Sequence, residues 1–266
     1  MKKKRIINIL MVFCLLVALG CGGYLAYYYY NSNKSENAVE GLRDKIEDSN
    51  ITDNNADKNG SPEMVEVDGK MIQKKFEQLY RENHDFIGWL TIEDTNVDYP
   101  VMYTPQDGEN GEYYIHRDYD KQYSAAGLPF VDGNCEIEEP TDNLIVYGHN
   151  MNSGKMFHDI LQYEDKRFYN GHKTFRLDTI YGDGIYEVVA AFYGQILPEQ
   201  PTAFKYYEFV NAGREEEFLD FVENVKKMSV IDTGVEVEYG DKLITLSTCA
   251  YHVEDGRFAV IAKKIQ

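Results

Sequence analysis

The sequence predicts a mainly β domain, a closed β-barrel with helices on its outside, preceded by one membrane-spanning helix. Three observations carry this expectation. Beyond about Glu63, short apolar or alternating runs broken by turn residues follow one another: FIGWLTI, VDYPVMY, GLPFVDG, NLIVYGH, KTFRLDTI, IYEVVAAFYGQI, VEVEYG, KLITLSTC and RFAVIAKKI. Such a series indicates a sandwich or barrel rather than βαβ units. Within the series only two stretches have helical spacing, GKMFHDILQY and AGREEEFLDFVENVKKMS. Finally, Ile6 to Tyr30 contains no charged residue and is overwhelmingly apolar.

Residues 1–5, MKKKR, carry four positive charges and read as a cytoplasmic tail. Residues 6–30 span more than the ~30 Å hydrocarbon core requires and exceed the apolar region of a cleavable signal. The run ends in Tyr27 to Tyr30, an aromatic belt expected at a membrane–water interface. The basic end is expected to stay inside, giving a single-pass cell-membrane protein whose body is extracellular. A competing reading of VALGC, lipidation at Cys21, fits its motif poorly and leaves the body surface-anchored all the same.

Residues 31–62 are rich in Asn, Asp, Ser and Lys and read as a solvated stalk, with one short helix around Val39 to Ile46. Residues 63–266 then make one domain. It opens on Met71, Ile72, Phe76, Leu79 and Tyr80, which recur at helical spacing. In the later helical stretch, Phe218, Phe221, Val222, Val225 and Met228 share a face, and acids lead while lysines trail, as the helix dipole favours.

Four of the 27 basic residues lie in the first five positions and no acid lies before residue 31. The exported part therefore sets 45 acids against 23 bases. That argues against nucleic-acid binding, which needs a basic face, and suits a soluble surface domain. Of four cysteines, Cys14 and Cys21 fall in the apolar run, leaving Cys135 and Cys249 outside. One Cys135–Cys249 bridge is possible, but a disulfide scaffold needs more cysteines. An unbridged exported cysteine suggests use.

A cysteine nucleophile needs a partner that manages its proton and a group that stabilises the oxyanion. Cys249 closes the run KLITLSTC, and Arg257 heads the next run eight residues on. If the two runs are antiparallel neighbours, both residues reach the same sheet edge, where a guanidinium supplies charge that never titrates away. Of six histidines, His84 and His172 lie in polar, turn-like surroundings, His116 reads as a loop residue and His158 as the rim of a helix. His149 follows the strand NLIVY through one glycine, at a strand-to-loop junction suited to function. His252, three residues past Cys249, is the rival. Structural zinc there would need four ligands, and no second Cys/His pair has suitable spacing. Neither a metal, calcium included, nor a cofactor is expected.

The motifs TLSTC before an Arg-headed strand and YGHN about a hundred residues upstream resemble those of the sortases, membrane-anchored cysteine transpeptidases of Gram-positive cell surfaces. The likeness is to class B and extends to GWLTIEDTNVDYPVM, GLPFVDG and the long helix before TLSTC, over roughly residues 65–265. It implies an eight-stranded sortase-type barrel with Cys249 as nucleophile, His149 as acid/base and Arg257 as oxyanion and substrate clamp. Ser247 and Thr248 would flank the site and Tyr147 support its wall, all three as substrate-binding residues. The implied reaction cleaves a C-terminal sorting signal of a secreted protein through a thioacyl enzyme, then joins the new carboxyl end to an amine of a peptidoglycan precursor. A cell-wall cysteine peptidase that hydrolyses instead, and a non-enzymatic binding domain with a structural Cys249, are the alternatives.

Overall fold

A computed structural model describes residues 2–52, 62–107 and 109–266. Among the described residues, ten strands and four α-helices follow in chain order. Helix α1 runs over Lys2–Thr52, and a hairpin joins β1 (Met64–Val67) to β2 (Lys70–Gln73). Helix α2 (Glu77–Glu82) leads to β3 (Phe86–Thr91), β4 (Asp98–Met102), β5 (Phe130–Val131) and β6 (Asn143–Tyr147). After α3 (Lys166–Gly171) come β7 (Thr174–Thr179), β8 (Ile185–Gln195), α4 (Glu215–Met228), β9 (Leu243–Cys249) and β10 (Gly256–Lys264).

Eight of these strands close a barrel in the order β10-β8-β7-β3-β4-β5-β6-β9. Its interior is filled by residues such as Leu90, Val101, Val131, Val146, Leu177, Val188, Leu246 and Val260. Side chains alternate across a strand, so the intervening residues of β9 and β10 face outward. There Leu243, Ala259 and Ile261 meet the apolar stripe of α4, Phe218, Phe221, Val222 and Val225. The pattern of short runs therefore reports the barrel correctly, since each strand needs apolar residues on its inner face and, beneath α4, on its outer face too.

Four local expectations differ from the structure. The segment expected to be a solvated stalk continues α1 as far as Thr52, and Val39 and Leu42 are buried on the barrel; residues 53–61 lie outside the described residues. The helical spacing of Met71 to Tyr80 is split between β2, a 3-10 turn over Lys74–Phe76, and α2. The deciding residues are Asp68 and Gly69, whose φ of 51° and 82° close a tight hairpin. GKMFHDILQY forms a 3-10 helix over Phe157–Glu164 rather than an α-helix. VEVEYG pairs with no strand; its Val235 and Val237 are buried in the cluster under α4.

Candidate active site

The site forms where three strands end together. Strands β9 and β10 are antiparallel, and their register sets Cys249 directly opposite Arg257. Directly opposed residues project to the same face, and here it is the outer face, at the barrel rim. Strand β6 runs parallel to β9 on its other side, with Tyr147 beside Ser247. The pairing is extended one step by Gly148, whose N–H donates to the Ser247 carbonyl (3.1 Å). The Thr248 hydroxyl donates in turn to the Gly148 carbonyl (2.6 Å). His149 therefore leaves β6 at the barrel end where Cys249 leaves β9. Gly148 is required there, because a Cβ would lie 2.7 Å from ring carbons of Phe157.

His149 is half-buried and held from several sides. Its Nε2 lies 2.8 Å from the carbonyl of Ile115. A carbonyl only accepts, so Nε2 carries the proton, and in the neutral ring Nδ1 is the basic nitrogen. The ring stacks on His116 at 5.2 Å and 22°, and the His149 carbonyl accepts from the Phe157 N–H (2.8 Å). Burial pulls its pKa below the ordinary 6.5; the Ile115 carbonyl partly opposes this and His116 adds to it. Among the described residues no hydrogen bond joins Cys249 to His149. Catalytic hydrogen bonds in ligand-free sites are often open and tighten on binding.

This shift has a measurable consequence for stability. Because His149 titrates lower folded than unfolded, the unfolded chain binds more protons as pH falls below about 6.5. Stability present above that value is lost as pH falls towards the folded pKa. His149→Asn should therefore lose less of its melting temperature than wild type between about pH 7 and about pH 5. Parallel melting curves across that range would contradict the shift.

Arg257 is half-buried, and its guanidinium donates to the Gly256 carbonyl at 3.0 Å. Among the described residues no carboxylate pairs with it, so its remaining donors are not committed. Asn150 reaches across the site, donating to the Cys249 carbonyl (3.0 Å) and accepting from His158 Nδ1 (2.8 Å). His252, the rival proton carrier, packs edge-on against Tyr193 at 4.7 Å. Cys135 is a free, buried thiol whose pKa burial pushes up to about 11, and Cys249 is also free. The possible bridge between them is thus absent, and only one of the two thiols stands at a rim.

Ser247 and Thr248 are placed differently from the expectation of substrate contact. Both are buried. Ser247 Oγ pairs with the Tyr206 hydroxyl at 2.9 Å, and Thr248 caps the Gly148 carbonyl, so their side chains brace the strand that ends in Cys249. The Tyr147 hydroxyl donates to Asp132 (3.1 Å), and its ring lies 5.6 Å from that of Phe130. His116, Asn150 and Tyr206 were not legible as site residues. Burial pushes the Tyr206 hydroxyl up to about 12, with Arg257 opposing and Cys249 adding to the shift, which places Tyr206 within electrostatic reach of both.

A barrel rim so arranged equips a protein for cysteine-based acyl transfer: one part-exposed thiol, a guanidinium across from it with donors to spare, and a half-buried imidazole just past the end of the adjoining strand. No family model matches the chain. It is 34% identical to sortase B of Listeria monocytogenes serovar 1/2a over 196 residues, 73% of this chain and 75% of that one. It is 27% identical to sortase B of Staphylococcus aureus over 269 residues, 100% of this chain and 99% of that one. The solved Staphylococcus aureus sortase B–substrate complex superposes with a TM-score of 0.73 at 25% identity, covering 88% of this chain and 98% of that one. The chain belongs to the sortase B family and is a sortase cysteine transpeptidase.

Proposed function

We propose that the protein is anchored by the apolar part of α1 with its N-terminus cytoplasmic, and joins secreted proteins to the cell wall outside the membrane. The donor is a C-terminal sorting signal, and the acceptor is an amine of a peptidoglycan precursor. The observation that carries this reading is the register that sets Arg257 opposite Cys249 on the outer face, open to an extended peptide. As the sulfur attacks a carbonyl of the signal, His149 takes the thiol proton at Nδ1. Arg257 donates to the oxyanion. Collapse breaks the peptide C–N bond, with His149 returning its proton to the departing amine, and leaves a thioacyl enzyme. The incoming amine attacks the thioester carbonyl, gives its proton to His149 and releases the thiol of Cys249 as the new amide forms.

The membrane reading is supported by the candidate span Ile6–Tyr27, an apolar helical stretch with none of its surface covered by the protein. The test of the reaction is incubation with sorting-signal peptides, with and without an added amine acceptor. A product mass corresponding to the acyl–amine adduct is expected. Hydrolysed peptide alone, whatever amine is offered, would favour the peptidase reading.

The proton carrier is testable separately. His149→Ala should abolish turnover of such a peptide, whereas His252→Ala should retain most of it, because His252 packs on Tyr193. A larger loss in the His252 variant would overturn the assignment.

A further inference from the structure

The contacts of α1 with the domain follow one another in a definite order along the helix. Among the described side chains, Glu36 makes the contact nearest the apolar end, a salt bridge with Lys155. Val39 and Leu42 then bury themselves in an apolar seam with Tyr99, Tyr119, Leu128 and Met156, where only a cavity of about 30 Å³ remains. Arg43 pairs with Asp98 at 2.5 Å and Lys45 with Glu82 at 2.6 Å. Last, Ser49 Oγ comes within 3.2 Å of the Lys75 carbonyl, while its shorter bond is to the Ile46 carbonyl of its own helix (2.7 Å). The docked segment is therefore fixed at both ends and by an apolar middle, a combination that defines its direction across the barrel.

Lys155 belongs to the loop that begins at His149. That loop is closed by a bridge between Asn150 and Met156, and Met156 donates its N–H to the Tyr99 hydroxyl (3.0 Å). Among the contacts of the described side chains, the one nearest the apolar end of the helix thus falls on the loop carrying the catalytic histidine. Glu36 lies nine positions after Tyr27, the end of the candidate span. In a continuous helix these rise only about 14 Å. A flexible stalk of the same length would leave the domain free to take any orientation.

Resting on the anchored reading proposed above, we infer that α1 is a strut that docks the barrel with its catalytic rim turned towards the bilayer. The rim is then a surface that meets acyl donors and amine acceptors which are themselves held at the membrane. The opposite end of the barrel, where β6 and β9 begin, faces away. The seven residues of β9 put that end roughly 20 Å from Cys249.

The test uses the full chain in liposomes containing an energy-acceptor lipid. A fluorescent amino acid is introduced at Tyr251, an exposed position in the loop after Cys249, or at Glu238, exposed just before β9. Transfer to the bilayer from position 251 should be several-fold greater than from 238. Leu42→Asp, which places a charge in the apolar seam, should keep the protein on the liposomes while erasing that difference; a melting curve checks that the barrel still folds. Equal transfer from both positions, or greater transfer from 238, with the protein floating on its liposomes, overturns the inference alone. A full chain that does not float with liposomes removes the anchored reading, and this inference with it. Persistence of the difference in folded Leu42→Asp would show that docking does not set the orientation.

Discussion

Cys249→Ala is expected to abolish cleavage of every sorting-signal peptide, while Cys135→Ala keeps most of it. The two thiols differ in place rather than in chemistry. Cys249 ends a strand at the rim, opposite Arg257. Cys135 is buried, accepts from the Ile145 N–H at 3.4 Å, and lies 3.6 Å from the Asn143 carbonyl. Burial holds its thiol up at about 11, so almost no thiolate forms at neutral pH. Losing its sulfur should cost stability, on the order of 1 kcal/mol, through a small cavity beside β6. The loss should therefore appear in the melting temperature and not in turnover of the folded enzyme. Acyl-enzyme trapped by mass spectrometry should map to Cys249. Loss of turnover in a folded Cys135→Ala protein would overturn the assignment of the nucleophile.

Arg257→Lys is expected to fail almost as badly as Arg257→Ala. The guanidinium already donates to the Gly256 carbonyl, which fixes the plane of its fork, and no carboxylate takes its other donors among the described residues. A lysine ammonium is a hydrated point charge on a flexible stem and cannot hold a backbone acceptor and an oxyanion in that one geometry. Removing one well-placed oxyanion donor costs roughly 10²–10³ in rate, or about 3–4 kcal/mol. Both variants should fold, since Arg257 projects at the rim and not into the barrel interior. The comparison is kcat/KM for one cleavable peptide on wild type and both variants, with melting curves alongside. Lysine within about fivefold of wild type would show that charge suffices and the fork does not matter.

The juxtaposition behind both expectations was readable in sequence because it is local. Cys249 and Arg257 belong to one hairpin, and two apolar runs joined by a short polar loop fix which residues can face each other. His149 was readable only as the end of a strand, since its neighbour β9 is distant in sequence; the family's motifs supplied the partner. His116, Ile115 and Tyr206 were not readable at all. They reach the site from short 3-10 helices, Glu109–His116 and Tyr206–Glu208, whose paths depend on tertiary packing, and no periodicity marks them. The same limit explains Ser247 and Thr248. Their nearness to Cys249 is a fact of sequence, but their burial depends on Tyr206 and Gly148, which other parts of the chain bring in. The stalk was misjudged for a related reason. Polar composition describes the solvated face of α1 well, and only the partner surface on the barrel reveals that Val39 and Leu42 form a second face. The β1–β2 hairpin, by contrast, had a local mark in Asp68-Gly69 between alternating residues, overlooked in favour of the helical spacing beside it.

The parallel pairing of β6 with β9 also bears on how the enzyme comes to exist. Thr248 and Gly148, bonded side by side, are 100 residues apart in the chain. A parallel pair cannot be closed by a tight turn, and the entropy of closing so long a loop falls due before its contacts form. The β9–β10 hairpin that pairs Cys249 with Arg257 can form early, but it lacks an imidazole until this last long-range seam zips up. Partly folded chains should therefore bear the Cys249 thiol without the imidazole proposed to serve it. In refolding, peptide cleavage should return with the slowest phase, later than the recovery of strand signal from the local hairpins.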